Sequence, residues 1–182
     1  MAISTNFESA LMKSIRSLEQ NMSSLMIPEI MEYSDEQIAE FLTRIDDRRI
    51  FVIAEALRRG YSIQKISDVT KIDIWFIDKF KSIVEQEAEI KNNFSVKTLK
   101  KAKVLGFTDA DIAKLAGKTE DEVRQMRMDN GIIPVYKMVD TCAAEFDAQT
   151  PYFYSTYDKH CEARAFKKSG KETIVVLGSG PI

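Results

Sequence analysis

Little in this chain is suited to redox, metal or nucleophilic chemistry. Its 182 residues include two cysteines, Cys142 and Cys161, a single histidine, His160, and no CxxC or histidine-rich cluster. That speaks against a disulfide framework or a zinc site, and both thiols are expected to be reduced. His160 has no serine or aspartate arrangement beside it, and on any regular backbone Cys161 points elsewhere. It therefore reads as a solvent-exposed linker histidine, not half of a nucleophilic dyad. Paired carboxylates in a cleft-like setting, a phosphate loop with its lysine and a metal cluster are all missing, so no catalytic, cofactor-binding or metal-binding residue is assigned. No run is long and apolar enough to span a bilayer. The N-terminal MAISTNFESALMKSIRSLE places charges inside its apolar pattern, unlike a signal peptide, which makes a cytoplasmic address the default. The net charge of -2 gives no general attraction to nucleic acid or anionic lipid.

What is present is a 45% hydrophobic, 30% charged mixture typical of a soluble globular protein, long enough for one domain or two small helical subdomains. Phe7, Leu11, Ile15, Leu18 and Met22 recur at helical spacing and form one apolar stripe. The methionine-rich MSSLMIPEIMEYS that follows, broken by Pro28, is expected to be a loosely packed loop. Ser34 and Gln37 have the spacing of a capping box before IAEFLTR, and Asp46 or Asp47 is placed to cap a helix from about Arg48 to Arg59, stopped by Gly60. Asp73 caps a helix carrying Ile74, Ile77, Phe80, Ile83 and Val84 to about Ile90. Ser95 opens another ending at Gly106, and Thr108 with Asp111 and Thr119 with Glu122 mark two more helix starts, with Gly117 and Gly131 as stops. Trp75 and Phe76, large and apolar at helical spacing, are expected to be core.

The chain also echoes itself. A shift of 46 residues aligns Ile53 with Leu99, Ala56 with Ala102, Gly60 with Gly106, Tyr61 with Phe107, Ser62 with Thr108, Ile66 with Ile112, Val69 with Leu115 and Ile77 with Val123. Each copy reads as helix, glycine stop, aromatic, hydroxyl cap, short helix, turn and second helix, the pattern of a duplicated helical subdomain. Basic clusters occur at Arg48, Arg49, Arg58 and Arg59 and at Lys97, Lys100, Lys101 and Lys103; acids lie beside the first, and solvated helix faces are the expectation for both. DIAKLAGKTEDEVRQMR, and less clearly SIQKISDVTKIDIWFIDKF, have the look of helix-turn-helix units, which makes DNA binding the rival reading. Against it, a recognition helix starting at Thr119 would lead with Glu120, Asp121 and Glu122, and Arg124 and Arg127 are placed to pair with those acids along the helix.

From Pro134 to Tyr157 the helical pattern stops. PVYKMVDTCAAEFDAQTPYFYSTY holds four of the six tyrosines and two of the four prolines, and follows no period for long. It is expected to be an irregular strap with its aromatic bodies on apolar surface. YDKHCEARAFKKSGKE then reads as a linker or short helix, and TIVVLGSGPI as a buried strand entering a glycine turn. The sequence stops before a helix or second strand completes that unit, so the chain is expected to be an excised fragment.

These segments carry a specific resemblance. VYKMVDTCAAEFDAQTPYFYSTYD is similar to the signature that closes the central oligomerisation domain of the carbamoyl phosphate synthetase large subunit. RRIFVIAEALRRGYS, DVTKIDIWFIDKF, GFTDADIAKLAG and GIIPVYK look like family segments in the family's order, and VVLGSGPI resembles the opening of the following synthetase half. The resemblance implies an all-α oligomerisation or connection domain over 4–160, with related subdomains at about 47–92 and 93–131 and the strap at 132–158. A linker over 161–172 and the truncated start of the next synthetase domain over 173–182 would follow. It further implies a parent ligase that joins bicarbonate, glutamine-derived ammonia and two ATP molecules into carbamoyl phosphate for arginine or pyrimidine biosynthesis. ATP and magnesium or manganese would serve the parent, and none of its catalytic, ATP, metal or ornithine residues falls on a position of this chain. The implied partners are the flanking synthetase halves, other large-subunit copies and the parent's glutaminase small subunit.

Overall fold

The computed structural model describes residues 2–18, 20–147, 151–165, 170, 172, 174–176 and 178. The chain divides into two compact units, Ala2–Ile133 and the segment from Pro134 onward. The first is entirely helical among its described residues: α1 (Phe7–Arg16), α2 (Pro28–Met31), α3 (Asp35–Thr43), α4 (Arg49–Arg58), α5 (Ile63–Thr70), α6 (Ile74–Asn92), α7 (Val96–Val104), α8 (Asp109–Ala116) and α9 (Glu120–Asp129).

Side-chain caps set where these helices begin. Asn6, Ser34, Ser62, Asp73, Ser95, Thr108 and Thr119 each accept a hydrogen bond from a backbone amide of the first turn, and Ser34–Gln37 and Thr119–Glu122 complete full capping boxes. Each such cap stabilises its helix by about 1 kcal/mol. Asp46 instead accepts from the Arg48 amide at 3.1 Å, one position before the first residue of α4.

The core is built around α6. At 19 residues it is the longest helix described, and it packs against α1, α4 and α5 as well as α7 and α8. Ile77, Phe80, Ile83 and Ile90 are its buried apolar residues. One group forms with α4, buried without interruption from Phe51 to Leu57, against which α2 and α3 pack. In the other, Leu99, Ala102, Phe107, Ile112 and Val123 close α7, α8 and α9 together. Helices α5 and α8 are both eight residues long and begin 46 residues apart, and α6 and α9 begin at the same separation.

Three elements differ from the expectation here. Helix α1 stops at Arg16, so Leu18, which is exposed, and Met22 fall outside its stripe. The segment around Pro28 is not a loose loop: α2 starts at Pro28, and Leu25 and Ile30 are buried. Proline at the first helical position has no intrahelical amide to lose and a backbone angle already suited to the turn, so it starts this helix and breaks none. Trp75 and Phe76 are not core either, being 51% and 42% exposed on the first turn of α6.

The second unit contains a two-stranded antiparallel sheet, β1 (Val135–Met138) and β2 (Phe153–Thr156), with Val135 opposite Thr156 and Met138 opposite Phe153, and a 3-10 turn over Glu162–Ala165. The strap is therefore not wholly irregular; strands of four residues are simply too short to declare a period. Phe146 and Tyr152 are exposed. Between the strands, Asp140 accepts the amides of Cys142 and Ala144 at 2.8 and 2.7 Å. The Glu162 carboxylate ties the turn to β1, accepting from the Met138 amide at 2.8 Å and from Lys137 Nζ at 3.1 Å. Ile174, Val175 and Val176 are exposed and lie in no strand, unlike the buried strand expected there. Leu177 and residues 179–182, with most of the glycine turn, lie outside the described residues.

Candidate functional site

The basic cluster on α4 is a structural clamp. Arg58 is 16% exposed; its guanidinium donates to both Glu87 oxygens on α6 at 2.7 and 2.9 Å, to Glu55 at 3.2 Å and to the Leu25 carbonyl at 3.2 Å. Burial alone would lower its pKa, but Glu87 and then Glu55 outweigh that and hold it above the ordinary value. Arg59 donates to Glu55 and to Asp35 at 2.9 Å each, and to the Met31 carbonyl at 3.2 Å. Arg49 donates to the Thr70 carbonyl. These arginines fasten α2, α3, α5 and α6 to α4, and three of the four are engaged inward or between helices, not spread over a solvated face. Arg48 does sit at the surface, beside Asp46 and over the Phe41 ring.

A second clamp joins α7, α8 and α9. Lys103, buried on α7, donates to Asp109 at 2.7 Å and to the Phe107 carbonyl at 2.8 Å. Arg127 reaches from α9 to the other Asp109 oxygen at 3.1 Å and to the Ile132 carbonyl at 2.9 Å. Burial would raise the Asp109 carboxyl, yet the bond and charge of Lys103, with Arg127 adding to them, hold it below its ordinary value. Burial pulls the Lys103 ammonium down, and Asp109 offsets only part of this. Of the four clustered lysines, Lys97, Lys100 and Lys101 are exposed as expected, and Lys103 is not.

This arrangement bears directly on the helix-turn-helix pattern. Arg124 pairs with Glu120 along α9 at 3.8 Å, as its spacing suggests. Arg127 turns instead into the Asp109 clamp on α8. The solvent face of α9 thus leads with exposed Glu120, Asp121 and Glu122 while one of its two arginines is committed inward, a poor surface for phosphates.

Helix α1 docks on the second group. Asn6 donates to the Val104 carbonyl at 3.1 Å, and Arg16 to that of Gly106 at 2.9 Å. Ser23, just beyond α1, donates to Asp111. Gly106 has φ +92°, and a Cβ there would lie 2.9 Å from Ser9 Cα, so only glycine allows α1 this close. At its N-terminal end, next to Asn6, α1 places Phe7 edge-on against Trp75 and Phe76, each 5.5 Å between centroids, and against buried Phe80 at 6.3 Å. Lys79 stands 5.3 Å from the Trp75 ring and 3.7 Å from the Glu8 carboxylate.

His160 is exposed. At Cys161, backbone N–H groups, that of Tyr136 first, hold the thiol below its ordinary value. Both cysteines are free thiols. Among the described residues no group of three or more His, Cys, Asp or Glu is placed to hold a metal ion, and no helix is long and apolar enough to cross a membrane. The sequence alone singles out neither Glu87 nor Asp109, while Glu55 is one of the acids it sets beside the arginine cluster, expected there on a solvated face and found buried. For Glu87 a signal existed: it falls between Ile83 and Ile90 at spacings of four and three, on the inward stripe of α6.

The described residues thus form a clamped helical body that exposes the Trp75 and Phe76 rings beside Phe7. Residues 1–131 match the family model described as carbamoyl-phosphate synthetase large chain, oligomerisation domain. That span ends within the last turns of the helical unit, and the chain belongs to the family of carbamoyl-phosphate synthetase large-chain oligomerisation domains.

Proposed function

We propose that this chain is the architectural spacer between the two synthetase halves of a carbamoyl phosphate synthetase large chain, and that it performs no reaction itself. The observation that carries the reading is the family match, which falls almost wholly on the clamped helical unit. An unstable intermediate passing between distant sites requires those sites at fixed separation, and a well-packed body fastened by two sets of buried ion pairs around one long helix suits that task. The equal spacing of α5 to α8 and of α6 to α9 supports an origin by duplication of one helical subdomain, over about 47–92 and 93–131.

The two-stranded strap is the part that docks on neighbouring synthetase surface, and the residues after it lead through a linker, over 161–172, into the next domain from 173 onward. ATP and magnesium or manganese serve the parent's synthetase halves. Its glutaminase subunit supplies ammonia, and its product enters arginine or pyrimidine synthesis in the cytoplasm. Other copies of the chain are the remaining partner. Sedimentation of the 182-residue chain across concentration tests the association: a reversible rise in mass above 20.8 kDa is expected, and a monomer at every concentration would overturn it.

A further inference from the structure

We infer that the aromatic cluster Phe7–Trp75–Phe76, where α1 meets the start of α6, is the face through which two copies of this chain associate. The inference rests on the oligomerisation reading above and locates it. Other exposed large apolar residues of the helical unit, such as Ile45, Leu18, Met31 and Met128, are scattered along the chain, whereas Ile74, Trp75 and Phe76 are consecutive and all more than 40% exposed. Trp75 and Phe76 stand perpendicular at 5.0 Å, and Phe7 braces both against buried Phe80. The rings are thus already fixed, and a partner would immobilise little that is free. Tryptophan and other aromatics are the side chains that most often carry interface energy.

The rim identifies the occupant. Lys71, Asp73, Asp78 and Lys79 lie beside the rings on the α5–α6 turn and the first turns of α6, with Glu8 next to Lys79. Acids and bases are mixed within one small patch. A polyanion or a strongly basic partner would be repelled by part of that rim. A second copy about a twofold axis brings the same mixed rim, so the bases of one copy can face the acids of the other, and the family's oligomerisation role makes that copy the occupant.

Trp75 is the only tryptophan, so its emission reads this face alone. Over the concentrations at which the 182-residue chain associates in sedimentation, the emission is expected to move to shorter wavelength. Phe76→Ala, which keeps the reporter, and Trp75→Ala are each expected to weaken association by about tenfold or more. Helical circular dichroism should be preserved in both, and Met128→Ala, exposed elsewhere, should leave association unchanged. Association with no change in emission and full association of both variants would overturn the assignment of the face while leaving oligomerisation intact. A monomer at all concentrations would overturn both. A monomer whose emission shifts only when a separately made synthetase half is added would show that the cluster docks on a neighbouring domain, which overturns the second-copy assignment.

Discussion

Gly60 and Gly106 occupy equivalent places, each ending a helix before an aromatic and a hydroxyl cap, with φ of +84° and +92°. Around Gly60 nothing lies within 4 Å of where a side chain would begin, whereas at Gly106 the backbone of α1 is already in that space. The first turn is held from the side, by Arg58 and Arg59 reaching to the Leu25 and Met31 carbonyls; the second is held by α1 lying directly across it. The difference teaches that one local pattern serves two tertiary roles. Backbone angle explains both glycines, but packing makes only Gly106 irreplaceable.

The largest effects should come from the two clamps. Asp109→Ala removes the carboxylate between two buried cations and is expected to cost about 3–5 kcal/mol in urea unfolding. Glu87→Ala should cost about 3 kcal/mol, toward the lower end because Glu55 still accepts from Arg58. If the clamp on the Gly106 side proved no more sensitive than an exposed pair, the two sides would not be locked as described.

The Asp109 clamp also has a pH signature. Its folded-state pKa lies below the unfolded value, so its contribution is fully present above about pH 4 and is lost as pH falls through the lower folded-state value. The stability deficit of Asp109→Asn relative to the parent chain should therefore be constant near neutrality and shrink in acid. A deficit unchanged down to pH 2 would contradict the assignment.

Next in size is the glycine pair. Gly60→Ala should cost about 1–2 kcal/mol, the ordinary penalty for a left-handed non-glycine residue. Gly106→Ala should exceed it by about 1 kcal/mol or more, because α1 must also move. Equal losses would mean that α1 does not press on that turn. The smallest effect is a gain. Lys71 caps α5 with φ +60°, where Gly117 caps α8 with φ +63°, so Lys71→Gly should raise stability by about 0.5–1 kcal/mol.

Much of the helical unit was legible because its signals are local. Hydroxyl and carboxylate caps at Ser34, Asp73, Ser95, Thr108 and Thr119 and left-handed glycines act within one turn of the residue that carries them. What was not legible depends on partners far along the chain. Arg58 and Lys103 look like any exposed cation until Glu87 and Asp109 are brought to them. Trp75 and Phe76 have the spacing of core residues, yet they lie on the first turn of α6, packed on Phe7 and still more than 40% exposed. A face kept for a partner carries the same residue types as a core.

The two helical groups share α6 and behave as a single rigid body, not as two linked subdomains. Native-state hydrogen exchange of the 182-residue chain tests it most directly. Core amides of α4, α6 and α8 are expected to exchange through one common opening, with the same free energy and the same response to denaturant. Exchange of α7–α9 through a separate, lower-energy opening while α4–α6 stays protected would contradict it.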